Sequence, residues 1–276
     1  MTAHPSTSSI PTLSLVSARR DIPNARRVVV KVGSSSISGE NAGQVNHLID
    51  ALAEAHSRGT QIVLVSSGAI ATGLPFLKLD GRPTDLATKQ AAAAVGQNVL
   101  VFRYQESLRR YGIVAGQVLL TAGDLELAEN RANARRAMER LLDLRILPIV
   151  NENDTVATEE IRFGDNDSLA ARVARLINAD LLVLLSDVES LYTKPPSEHG
   201  AEAIHDVAFG DPLSSIEFGG IGEAGVGTGG ARTKVAAARL AAGAGTPVLL
   251  TATGLVHEAL RGADIGTWFA AGPPEK

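Results

Sequence analysis

From Arg27 onward the chain alternates short, uninterrupted apolar runs with longer stretches whose apolar residues recur at helical spacing. Val28-Val29-Val30-Lys31-Val32 is mostly β-branched, ends at Gly33, and predicts a strand buried on both faces. Between Asn41 and Arg58 the apolar positions Val45, Leu48, Ile49, Leu52 and Ala55 predict a helix, with Gly59 where a helix C-terminus favours glycine. Ile62 to Val65, Ile113 to Leu120, Ile146 to Val150 and Val248 to Leu250 read as further strands. Leu181 to Leu185 is a run of Leu and Val only, so that strand too should be buried on both faces. Helices are predicted over 85–110, 133–142 and 231–242, and from a cap at Asp167, or Ser168, to about Asn178. Thr158 to Gly164 reads as a hairpin or loop.

Strands that are apolar throughout and alternate with helices predict an α/β fold, a mostly parallel central sheet covered by helices on both sides. Ligands of such sheets bind outside the carboxyl ends of the strands, so the turns after the strands are where chemistry belongs. The 276 residues suit one large domain, here taken as 26–272. Residues 1–25, rich in Ser, Thr, Pro and Arg, read as a poorly ordered tail or an alternative start, and Leu13 to Val16 is too short for a secretory core. No internal repeat or dividing linker stands out, and 195–230 is the loosest stretch.

Composition narrows the function. A formal net charge of −4 and no dense basic patch argue against nucleic-acid binding. The absence of cysteine removes disulfides, thiolate metal sites and cysteine nucleophiles, and accords with a cytoplasmic protein. No apolar run is long enough to cross a membrane as a helix. The six histidines form no ligand pair, so no protein metal site is expected.

Six turns carry candidate chemistry, each with a plainer reading beside it. Lys31-Val32-Gly33-Ser34-Ser35-Ser36 could hold a phosphate through an ammonium and backbone N–H groups, or could be an ordinary strand-to-turn junction. Ser66-Ser67-Gly68 precedes a helix and favours an anion, or is a simple cap. Asn151-Glu152-Asn153-Asp154 places four polar side chains after a buried strand, able to read an amino acid's ammonium and carboxylate, or to form an Asx-rich turn. Gly164-Asp165-Asn166-Asp167 could bind a cation or orient a lysine, or cap a helix. Ser186-Asp187 could meet a nucleotide, or cap. The glycine-rich 219–234 segment ends in Thr228-Gly229-Gly230-Ala231-Arg232-Thr233-Lys234 and opens a helix. It allows close approach of backbone to phosphates, or is a flexible surface loop.

Together the turns specify phosphoryl transfer, which needs positioning and charge neutralisation more than covalent help. Two separated lysines, Lys31 and Lys234, could flank a transferred group. An attacking carboxylate is already ionised at neutral pH and needs no general base.

The ordered segments KVGSS, SSGAIATG, KQAAAAVGQ, GQVLLT, PIVNENDTVAT, GDNDSLAA, LLSDVESLYT and GTGGARTK resemble the amino acid kinase domain of the glutamate 5-kinase family. The resemblance spans about Arg27 to Phe269. It implies the three-layer, carbamate kinase-like form of the α/β fold. It also implies phosphorylation of the L-glutamate side-chain carboxylate by ATP with Mg2+, giving L-glutamate 5-phosphate on the route to proline. By the same resemblance Lys31 and Lys234 stabilise the transition state, and Asp165 lies beside the site and orients a lysine. Asp167 also lies beside the site. Ser67, Asp154 and Asn166 bind glutamate. Ser186, Asp187 and the loop from Thr228 through Gly229, Gly230, Ala231, Arg232 and Thr233 to Lys234 bind the nucleotide, as does Lys31. Feedback inhibition by L-proline and homo-oligomeric assembly are further implications.

The chain departs from the family pattern at Ser66, where many members have threonine, and at Ser190, where glycine is common. No counterpart of the PUA domain that follows in many members is expected. The rival readings are a related kinase acting on N-acetylglutamate, aspartate or carbamate, and a non-catalytic sensor of nucleotide or amino acid.

Overall fold

A computed structural model describes residues 16–37, 41, 43–79, 83–156, 166–214, 216 and 230–273. The strands are β1 (Arg27–Lys31), β2 (Gln61–Val65), β3 (Ala115–Leu120), β4 (Leu147–Glu152), β5 (Leu181–Ser186), β6 (Leu191–Tyr192), β7 (Ala203–Ile204), β8 (Asp206–Val207), β9 (Val248–Ala252) and β10 (Thr267–Phe269). The helices are α1 (Gln44–Ser57), α2 (Ala69–Gly73), α3 (Leu86–Arg109), α4 (Ala122–Glu126), α5 (Ala128–Asp143), α6 (Asn166–Leu176), α7 (Ala231–Gly243) and α8 (Val256–Leu260).

Successive side chains of a strand point to opposite faces, so an all-apolar strand must be covered twice. That is what happens here. Val28, Val30, Leu181, Val183 and Leu185 pack with α1, α3 and α8. Val29, Leu182, Leu184, Val248 and Leu250 pack with α5, α6 and α7 on the other face. The result is three layers, helices over sheet over helices.

The large sheet runs β3-β4-β2-β1-β5-β9-β10-β8. Its pairings are parallel except β9 with β10. A second small sheet pairs β6 with β7 antiparallel. The chain leaves β1 for β2 on one side and returns as β5 on the other. The carboxyl end of β1 is therefore a topological switch point, where α/β sheets bind ligands.

Several boundaries differ from the sequence reading. The tail assigned to 1–25 includes packed chain from Val16 onward. Val16 and Ile22 are buried, a 3-10 helix covers Arg19–Asn24, and Arg19 Nε donates to the Ile265 carbonyl at 2.9 Å. Two isolated apolar residues make no periodic pattern, and their burial depends on partners near the other end of the chain. Asp167 lies inside the first turn of α6 rather than capping it, and Ser168 lies inside as well. Strand β4 extends past Val150 to include Asn151 and Glu152. The antiparallel β10 has no forerunner in the apolar pattern. The segment read as a hairpin or loop, 158–164, lies outside the described residues.

Helix α2 crosses α3 with backbone nearly touching backbone. A Cβ on Gly73 would lie 1.9 Å from the Ala92 carbonyl oxygen, and one on Gly96 would lie 1.8 Å from that of Ala69. Gly96→Ala should therefore destabilise the fold by about 2 kcal/mol or more, through overpacking that no side-chain rotation relieves. Gly43 has ordinary helical angles and open space around it, so Gly43→Ala should be neutral or stabilise by up to ~1 kcal/mol. Urea denaturation of the two variants beside the parent checks both, and equal stability of the two would contradict the close crossing.

Candidate active site

Three elements bring charge to the switch point. Lys31 is the last residue of β1, Asp167 lies in the first turn of α6, and Lys234 in the first turn of α7. Lys31 Nζ lies 2.6 Å from Asp167 Oδ1, and Lys234 Nζ lies 3.4 Å from Asp167 Oδ2. The three side chains are 4%, 2% and 7% exposed, so the cluster is sealed from bulk water. The Thr233 hydroxyl stands 3.0 Å from both Asp167 Oδ2 and the Gly230 carbonyl, tying the start of α7 to α6.

Burial works against the Asp167 carboxylate, but the Lys31 and Lys234 ammonium groups and the Thr233 hydroxyl outweigh it and hold its pKa below the usual value. The α6 N-terminus also favours a negative charge there. Asp167 thus meets two ammonium groups, and the N-terminal end of α7 adds a partial positive charge beside them. Such a place suits an arriving anion. Gly33 puts no side chain beside this ammonium, where a Cβ would stand 3.8 Å from Lys31 Nζ.

A cavity of about 290 Å³ lies at the carboxyl end of β4, lined by Gln97, Gln117, Glu152, Asn153 and Asp154 among others. Burial pushes the Asp154 carboxyl up to about 6. The Glu152 backbone N–H donates to Asn151 Oδ1 at 2.9 Å and reaches Asn166 Oδ1 at 3.3 Å. Asn166 thus ties the cavity wall to the helix that carries Asp167.

The turn after β2 is held from below. The buried Ser66 hydroxyl bonds the Tyr104 hydroxyl at 2.9 Å. Gly68 then turns the chain into α2 at φ 93°, a left-handed conformation that favours glycine. Ser67 is half-buried in this turn. After β5, the Ser186 hydroxyl donates to Asp187 Oδ1 at 3.0 Å, and the Thr253 hydroxyl donates to the Ser186 carbonyl.

The structure therefore gathers Lys31, Thr233 and Lys234 around one carboxylate and links Asn166 to the cavity that holds Asp154. Ser67 stands at the end of β2, and Ser186 and Asp187 at the end of β5. Gly230, Ala231 and Arg232 are exposed at the start of α7. Asp165, Thr228 and Gly229 lie outside the described residues. Among the described residues the carboxylate that meets both lysines is Asp167, one of the two aspartates that the sequence offered to bind a cation, orient a lysine or cap a helix. The Asp-x-Asp spacing flagged it. Gln97 of the cavity and Tyr104 beneath Ser66 had no signal of their own in the sequence. Among the described residues, no group of three or more His, Asp or Glu is arranged to hold a metal ion.

The amino acid kinase family model matches residues 26–252. The chain belongs to the amino acid kinase family. Among similar amino acid kinases, a glutamate 5-kinase of Clavibacter sepedonicus is 73% identical over 92% of this chain and 97% of its own length. A glutamate 5-kinase of Leifsonia xyli subsp. xyli is 73% identical over 91% of this chain and 93% of its own. A glutamate 5-kinase of Streptomyces coelicolor is 52% identical over 93% of this chain but 70% of its own length. Among solved structures, carbamate kinase from Giardia lamblia bound to AMP-PNP superposes with a TM-score of 0.66 at 14% identity, covering 91% of this chain and all of that one. That likeness supports the carbamate kinase-like form of the fold.

Asp167→Ala in this amino acid kinase leaves two buried ammonium groups facing each other and should cost about 3–5 kcal/mol of stability at pH 7. Because the folded-state pKa of Asp167 is depressed, its stabilisation is present above the ordinary carboxylate pKa and is lost as pH falls through the lowered value. Chemical denaturation of parent and variant from pH 7 down to pH 3 should show the gap between them closing only at the acid end.

Proposed function

We propose that the chain transfers the terminal phosphoryl group of ATP to the side-chain carboxylate of L-glutamate, giving L-glutamate 5-phosphate and ADP, the first step towards proline. The observation that carries this reading is the buried Lys31–Asp167–Lys234 cluster at the switch point, beside a cavity with a half-buried carboxylate. The high identity to glutamate 5-kinases over nearly full length supports the same substrate.

In this reading the glutamate side-chain carboxylate, already ionised, attacks the γ-phosphorus in line. A carboxylate oxygen–phosphorus bond forms as the bond from phosphorus to the β–γ bridging oxygen breaks, and ADP leaves with that electron pair. Lys31 and Lys234 neutralise the charge spread over the transferred group and the leaving oxygen. Asp167 holds the two ammonium groups at one point before substrate arrives, so little reorganisation is needed during the reaction. The start of α7 offers its first backbone N–H groups to the nucleotide phosphates, and Thr233 and Lys234, whose N–H groups bond the Gly230 carbonyl, contribute side chains. Ser186 and Asp187 take the nucleotide beyond them. Asp154 faces the α-ammonium of glutamate, and Ser67 and Asn166 complete the amino-acid site. Asp165, Thr228 and Gly229 keep the roles that their sequence positions imply.

Magnesium, when bound, supplies further charge neutralisation on the phosphates. No helix among the described residues is long and apolar enough to cross a membrane. The proposal extends to a cytoplasmic enzyme inhibited by L-proline and self-associating. The exposed Phe102 on α3, Val114 just before β3 and Leu119 on β3 favour the last of these.

Asp154 also separates the rivals. A carboxylate at the cavity suits a free ammonium and gains nothing from the neutral amide of N-acetylglutamate. A coupled ADP-release assay with glutamate, N-acetylglutamate, aspartate and carbamate side by side should give turnover with glutamate at least tenfold above the rest. Preference for another acid would overturn the substrate assignment, and absence of turnover with all four would favour a sensor.

Lys234→Met keeps the buried stem and removes the charge. It should lower kcat by about 10²- to 10³-fold, with the glutamate Kd by calorimetry within about threefold. Undiminished kcat would refute the transition-state role. Ionised Asp154 is the form that attracts an ammonium, and its pKa is about 6. The KM for glutamate should therefore be flat above pH 7 and rise about tenfold by pH 5, while Asp154→Asn should raise KM at pH 7 and flatten the profile. An unchanged profile in that variant would assign the titration elsewhere.

A further inference from the structure

The amide of Gln97 on α3 is buried beside the cavity at the end of β4, and its place in the reaction is unassigned by anything described so far. Gln97 is 7% exposed and lines the cavity together with Asp154. Its Oε1 accepts from Asn151 Nδ2 at 2.7 Å. Its Nε2 is shielded from solvent, and among the described residues no acceptor meets it. Buried amide nitrogens are nearly always satisfied, so such an orphan calls for a partner.

The orientation of this amide is dictated by the backbone. The Glu152 N–H can only donate, and it donates to Asn151 Oδ1. Asn151, itself 1% exposed, must then turn Nδ2 toward Gln97. Gln97 must answer with its oxygen, which leaves its two N–H donors as the far end of the chain. An amide flip at either side chain would set like groups against each other. The relay from backbone to Asn151 to Gln97 therefore leaves Nε2 as an unspent donor on a residue that lines the cavity.

A donor beside a carboxylate is a complementary pair for the head group of a free amino acid. Asp154 suits an ammonium, and an N–H suits a carboxylate. We propose that Gln97 is a specificity-determining residue of the amino-acid site, its Nε2 donating to the α-carboxylate of the substrate while Asn151 positions it. This rests on the proposed glutamate kinase activity. In that reaction the side-chain carboxylate must reach the phosphoryl group beside Lys31 and Lys234, so the α-carboxylate and α-ammonium are what remain for the cavity. Asn151 acts through Gln97 and is a positioning residue.

The test uses the full chain and three variants, Gln97→Met, Gln97→Glu and Asn151→Asp. Steady-state kinetics with glutamate and ATP are measured beside thermal unfolding. Gln97→Met removes both donors at similar volume and should raise the KM for glutamate about tenfold to a hundredfold, as expected for losing a hydrogen bond to a charged group. The KM for ATP should stay within about twofold and the melting temperature close to the parent's. Gln97→Glu sets a carboxylate against a carboxylate and should raise the glutamate KM further. Asn151→Asp removes the donor that orients Gln97 and should reproduce part of the Gln97→Met effect. With 4-aminobutyrate, which lacks the α-carboxylate, competition against glutamate should be weak in the parent and lose less than threefold in Gln97→Met.

If the parent turns over glutamate and Gln97→Met leaves its KM unchanged, this inference fails and the kinase reading stands. If Gln97→Met shifts both KM values and the melting temperature together, the residue is merely structural and the inference fails again. A parent that does not phosphorylate glutamate defeats both.

Discussion

Two ammonium groups and one carboxylate meet out of water where β1 ends and α6 and α7 begin. Each alone would be costly to bury, and together they are tolerable because Asp167 bridges both lysines. The bridge fixes more than charge. It sets the end of the central strand against the starts of two helices, so the positive ends of those helices and both lysines converge on one point. The sheet order makes that point the switch between its two halves. The fold therefore carries its chemistry where the chain topology leaves a crevice, and the ion cluster keeps that crevice charged before any ligand arrives.

A second polar chain runs from the same helix into the neighbouring cavity. Asn166 precedes Asp167 on α6 and reaches the Glu152 N–H, which also orients Asn151. Asn151 in turn orients Gln97 on α3. The phosphoryl end and the amino-acid end of the site thus share a scaffold of hydrogen bonds that crosses from α6 through β4 to α3. The close crossing at Gly73 and Gly96 brings α2 against α3, one residue before Gln97. Shape and polarity at the cavity are consequently set by the same contacts that hold the upper helical layer together.

Much of this was readable from consecutive residues. The apolar runs Val28 to Val30 and Leu181 to Leu185 announced strands covered on both faces, and both are. Lys31 and Lys234 were singled out as the pair that would flank a phosphoryl group, and both reach Asp167. That Asp167 would bridge both lysines was not readable, because the direction of a carboxylate at a helix start depends on where the helix begins and what packs on it. The anchoring of Val16 and Ile22 was missed for a related reason, since Arg19 finds its partners at Asp206 and Ile265.

Sequence alone determined the class of fold, the approximate extent of its main strands and helices, and the residue types able to hold phosphate, because periodicity, glycine turns and charged strand ends are local properties. Tertiary structure alone decided that one carboxylate serves two lysines, that a buried amide beside a cavity keeps an unspent donor, that the last strand runs antiparallel, and that residues 16–25 belong to the packed domain. Each of these depends on groups far apart along the chain, as with Lys234 and Asp167, 67 residues from each other. Packing sets such distances, and no local pattern of residues encodes which distant partner a buried polar group will meet.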